Sequence, residues 1–136
     1  MKRVLVATGL MFLSLTAFAG KEERDMMSKE VMPAVQAAEA KFKESCGCPI
    51  KITVDEKTIK TKDDMYPAKH MAEYVTEGAP AYCNDAASKK AMCQMKTLTL
   101  AKAKEATFTF KGGNGIATTD GQSACSWEMM TREIDK

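Results

Sequence analysis

The chain carries a single histidine, and much chemistry is unavailable for that reason. A Cys–His hydrolase would need a thiol within hydrogen-bond reach of His70, and nothing in the sequence places one there. HExxH, GxSxG, a nucleotide-binding glycine loop and paired metal-ligand spacings are all missing. The glycine-rich GGNG at 112–115 lies between two predicted strands, so it reads as a hairpin turn and not a phosphate cradle. An enzyme is therefore not expected, and no cofactor is implied. Charge of one sign is lacking too: with Lys2 and Arg3 set aside, 18 basic residues face 18 acidic ones. That balance gives no reason to expect nucleic acid or an anionic membrane as partner. Beyond residue 19 no apolar run approaches the roughly 20 residues that span a bilayer, and no internal repeat or low-complexity tract is found.

What the chain does have begins with residues 1–19, MKRVLVATGLMFLSLTAFA. Two basic residues, an apolar run over Val4–Leu15 and Ala17-Phe18-Ala19 before Gly20 have the three parts of a secretory signal peptide. The expectation is an exported protein, periplasmic or extracellular, whose residues 20–136 form a single disulfide-containing domain.

Five cysteines follow, at 46, 48, 83, 93 and 125, and in an exported chain these are read first as disulfides. The number is odd, so one is free, joined to a second chain in a dimer, or bound to something else. Val31, Ala34, Val35, Ala38, Phe42 and Cys46 keep the spacing of one helical face, predicting a helix from about Met32 behind a frayed or kinked lead-in at Pro33. Gly47 and Pro49 end it. From Cys48 the period becomes two through Ile50, Ile52 and Val54, which predicts a strand. A second helix is expected over Met65–Glu77, capped by Asp64, stopped by Gly78 and carrying an apolar-aromatic stripe of Tyr66, His70, Met71, Tyr74 and Val75. A short helix from Asn84 or Asp85 to Met92 follows.

The last third reads as a meander. Thr97–Leu100 and Ala106–Phe110 alternate apolar residues with threonine, turns fall at GGNG and Asp120-Gly121, and Ser123–Thr131 is read as a final strand. The expected fold is α+β: an N-terminal helix across a curved antiparallel sheet, with one or two short helices before a C-terminal four-strand meander.

On that fold Cys46, Cys48 and Cys125 point to one helix–sheet interface, predicting a Cys46–Cys125 or Cys48–Cys125 staple. Cys83 and Cys93 invite a local bond, though a straight helix over 85–92 would hold them roughly 15 Å apart. A redox role for Cys-Gly-Cys is disfavoured by its place at a helix C-terminus, where the dipole does not favour a thiolate. Soft donors offer a second reading: His70-Met71 and Met92-Cys93-Gln94-Met95 are the local candidates for a Cu(I)-type ion, although methionine also fills cores. Six lysines (89, 90, 96, 102, 104, 111) against Glu105 read as a solvated hairpin whose lysines guard a sheet edge. The functional expectation is a non-catalytic binding or inhibitor-like domain for an unidentified protein or small ligand, with a soft-metal binder as the alternative.

Overall fold

A computed structural model describes residues 20–136; the expected leader, residues 1–19, lies outside the described residues. The chain opens as one unbroken helical run of α1 (Lys21–Met26), a π-helical turn (Met27–Val31) and α2 (Met32–Cys46). The predicted fraying at Pro33 does not occur. Proline cannot donate to the preceding turn, and the wide π turn, closed by the Met32 N–H on the Met27 carbonyl, accommodates it without breaking the helix. The extra residue also keeps Met26 and Met27 on the buried side with Val31, Val35, Ala38, Phe42 and Cys46. Gly47 adopts φ 81° and ends the helix as its sequence predicts.

Strand β1 (Lys51–Val54) follows, with Ile52 inward. Its outward-facing Ile52 N–H donates to the Glu39 carboxylate of α2 at 2.8 Å, which blocks one edge of the sheet. Helix α3 (Lys62–Tyr82) is longer than predicted at both ends. Thr61 is its cap, and Asp64 is the reciprocal partner of a capping box. Gly78 does not stop the helix, which passes Pro80 and ends at Cys83. The reason is tertiary: Val75, Ala79 and Cys83 are buried, and the Trp127 indole lies directly on the bare backbone of Gly78. Helix α4 (Ala86–Met92) is capped by Asp85, which accepts from the Ser88 N–H at 2.7 Å.

The sheet differs from the predicted antiparallel meander. Strands β2 (Thr97–Lys102), β3 (Phe108–Lys111) and β4 (Asn114–Thr119) join β1 in the order β1-β2-β4-β3, with β1–β2 and β2–β4 parallel and β3–β4 antiparallel. The chain leaving β2 skips one place, makes β3, and returns as β4 between them. Thr118 fastens the skipping loop: its hydroxyl donates to the Glu105 carbonyl at 2.7 Å and accepts from the Thr107 N–H at 2.9 Å. One sheet face, with Ile52, Leu98, Leu100, Phe108 and Ala117, is buried in the core. The other carries Thr53, Thr99, Ile116 and Thr109 in one cross-strand row, and lysines 51 and 111 stand on the two edge strands.

The expected strand over Ser123–Thr131 is a helix instead, α5 (Trp127–Ile134), with Ser126 as its cap. Cys125, Trp127 and Met129 alternate, but Trp127, Met130 and Ile134 keep helical spacing. Burial of Met130 and Ile134 decides for the helix.

Asp64 carries a testable electrostatic signature. Burial pushes its carboxyl up, but the Lys102 ammonium at 2.9 Å and the Thr61 hydroxyl and N–H outweigh that and hold it below the ordinary value. A carboxylate depressed in the folded state contributes stability above its unfolded pKa of about 4, lost as pH falls through the lower folded value. Thermal melts from pH 7 to 2.5 should therefore show a steeper acid loss for the wild type than for Asp64→Asn, which at pH 7 costs about 1–2 kcal/mol. Parallel acid slopes would remove Asp64 from the account.

Candidate functional site

The cysteines form a corner different from either predicted staple. Cys46 pairs with Cys83 and Cys48 with Cys93, so the two residues flanking Gly47 tie the end of α2 to the ends of α3 and α4. The local Cys83–Cys93 bond does not form, because each of the two sulfurs is taken by a cysteine beside Gly47. Cys125 is the free cysteine; neither the Cys46–Cys125 nor the Cys48–Cys125 bond exists. Its side chain is fully enclosed, and burial pushes the thiol up to about 12. A disulfide-linked dimer through Cys125 would require the core to open first.

The soft-donor residues are not gathered around a shared opening. Met71, Met92 and Met95 are fully buried among core side chains, Cys93 is consumed in its disulfide, and His70 faces solvent on α3. Among the described residues no group of three or more His, Cys, Asp or Glu side chains is placed to hold a metal ion.

What the fold does assemble is a cleft of about 400 Å³ along the outer side of α3. The capping box at Thr61 and the Asp64–Lys102 ion pair fix the start of this helix, and the Cys46–Cys83 bond fixes its end. Its core side is Met65, Ala68, Met71, Ala72, Val75 and Ala79. That leaves Tyr66, His70 and Tyr74, one every fourth residue, on the side lining the cleft together with Asp63 and Pro67. The opposite wall is the β4–α5 loop, through Gly121, Gln122 and Ala124. Asp120 shapes this loop: its carboxylate accepts the Gln122 and Ser123 N–H groups at 2.8 and 2.7 Å, and these hold its carboxyl below the usual range. Gly121 at φ 100° supplies the turn.

Tyr66 is 46% exposed, the most open of the chain's large apolar side chains among the described residues. A second hollow of about 310 Å³ meets the cleft at Tyr66 and is walled by α1 and the π turn with Glu22, Asp25, Lys29 and Glu30. Among the described residues the side chains of Asp63, Tyr66, His70, Tyr74 and Gln122 make no hydrogen bond or ion pair with the protein. Tyr82, by contrast, donates a hydrogen bond from its hydroxyl to the Asp135 carboxylate, and burial together with that carboxylate raises its pKa to about 12.

The sequence contained half of this site. The sequence shows Tyr66, His70 and Tyr74 in one stripe with Met71 and Val75, of which the structure buries only Met71 and Val75 in the core, and Asp63 and Gln122 carry no signal of their own. Comparison with known proteins finds no matching family, no similar protein and no solved structure of similar fold.

Proposed function

We propose that this chain is an exported, non-catalytic binding domain that holds a polypeptide partner in the aromatic cleft of α3. The carrying observation is the cleft itself: two tyrosines and a histidine in regular spacing, unpartnered, on a helix fastened at both ends. Amphipathic aromatic rings on a rigid element give large contact area at little ordering cost, which suits recognition. The cleft offers no activated nucleophile, since the lone thiol is enclosed at Cys125 and four cysteines are bonded. Two disulfides and the leader-like residues 1–19 support an oxidising compartment.

The test is photo-crosslinking in the cell of origin, with a benzophenone amino acid in place of Tyr66 or His70 and, as controls, Ile116 on the open sheet face or Lys90 on α4. A discrete adduct from the cleft positions alone, on a chain whose N-terminus maps to Gly20, is expected. Adducts equal at all four positions, or none from the cleft, would end this reading. An uncleaved N-terminus would end the export part of it.

A further inference from the structure

Resting on that reading, we propose that the occupant of the cleft is an arginine side chain of the partner, its guanidinium against Asp63 and the Tyr66 ring. The first reason is charge. Asp63 is the one ionised side chain lining the cleft, and among the described residues it has no cationic partner. The neighbouring charges are already matched: Lys62 with Glu22 at 3.4 Å, Lys29 with Asp25 at 4.0 Å and Lys69 with Glu30 at 3.3 Å. One carboxylate is therefore left over at the mouth of a cleft that holds no lysine or arginine.

The second reason is the supply of acceptors. Asp63 offers two carboxylate oxygens, and the Gln122 side chain adds an amide oxygen from the opposite wall. A donor-rich ligand without acceptors of its own fits this set, and guanidinium, with five N–H groups, has that character.

The third reason is the aromatic faces. Tyr66 and Tyr74 lie two turns apart on α3, about 12 Å along the axis. That is too far to close a cage around one ammonium. It suits an extended segment, with a planar guanidinium stacked on the first ring and a neighbouring residue against the second. Arginine is preferred to lysine here because its planar head both stacks on a ring and bonds a carboxylate through two parallel donors.

The experiment titrates the isotope-labelled, oxidised protein with three neutral-capped tripeptides, Gly-Arg-Gly, Gly-Lys-Gly and Gly-citrulline-Gly, at millimolar concentration. Citrulline keeps the shape of arginine and removes its charge. Saturable shifts confined to Asp63, Tyr66, His70, Tyr74 and residues 121–124 are expected with the arginine peptide. Binding should be about tenfold weaker with citrulline and with Asp63→Asn, since a charge-assisted pair contributes on that order. Tyr66→Leu, which keeps apolar area but removes the ring face, should weaken it about three- to tenfold. Glu44→Gln, at the far end of α2, should leave it unchanged. Asp63 is exposed and makes no internal hydrogen bond, so its variant is expected to fold. Citrulline binding as tightly as arginine, or indifference to Asp63→Asn, overturns the assignment. If the cleft still crosslinks to a partner in that case, the binding reading stands with an occupant of other chemistry. If neither peptides nor crosslinks engage the cleft, both fall together.

Discussion

Replacing Cys46 and Cys83 by alanine, with Cys48–Cys93 left in place, should lower stability by about 3 kcal/mol, on the order of 12 °C in Tm for a domain of this length. Alone, a bond with a sequence separation of 37 would contribute about 4 kcal/mol, since a longer closed loop removes more freedom from the unfolded chain, but the remaining bond already closes most of that loop. Cys48–Cys93, with a separation of 45, should cost about the same when removed alone. The two effects should not add. With the first bond intact, the ring closed by the second runs only through residues 46–48 and 83–93, roughly a dozen residues, worth about 3 kcal/mol. Removing both should cost about 7 kcal/mol, more than the two single losses together and enough to unfold many domains of this size. Denaturant melts of the three variants check the ordering; strict additivity would mean that the unfolded chain does not feel the two loops as overlapping. Thiol titration supplies the companion result. Folded protein should give no fast-reacting thiol, unfolded protein one from Cys125, and reduced unfolded protein all five.

Gly78→Ala should destabilise, although alanine is the better helix former by about 1 kcal/mol. A Cβ at residue 78 would stand 2.4 Å from the Trp127 ring, too close for any real contact, so either the indole leaves or α3 bends. We expect a net loss of about 1–3 kcal/mol, the usual range for overpacking. The protein's single tryptophan gives the readout: emission should shift to the red as the indole is exposed. The edge-on contact of Trp127 with Tyr82 and the Tyr82–Asp135 hydrogen bond should loosen with it, because all three hold α5 to α3. Against a Trp127→Leu background the same alanine should cost much less. A stabilising Gly78→Ala in the wild-type background would show that the indole does not sit there.

Gly78 also illustrates where sequence reading stopped. A glycine near a proline is a sound local signal for a helix end, and it failed because the indole of a residue nearly fifty positions away lies on it. The same division holds elsewhere. α2 and β1 were legible because Phe42, Cys46, Ile50 and Ile52 bury themselves with the period of their own element. Parallel pairing of β1, β2 and β4 was not legible, because Thr97–Leu100 alternates identically whichever way its neighbour runs. The Cys125–Trp127–Met129 alternation was too short to outweigh a helical reading of the same residues, and it drew Cys125 into a bond it does not make. In the corner at 46–48, both cysteines were correctly seen as structural, but their partners depend on where two later helices end. The cleft was half visible: α3 contributes a periodic face, whereas the 120–124 wall is a loop whose position depends on β4.

The placement of β4 has a consequence for the order in which the molecule can be made. The strand third from the start of the sheet in space is the last strand in sequence, and both its neighbours precede it. β2 and β3 never touch along their edges without it. A chain emerging from its N-terminus could close Cys46–Cys83 and Cys48–Cys93 as soon as residue 93 is free, while its sheet still has a vacant lane. Truncation before Asn114 would keep all four bonded cysteines and leave β3 with no strand to pair with. The helical half can thus be fastened first, and the β3–β4 hairpin is the keystone set into a frame already closed.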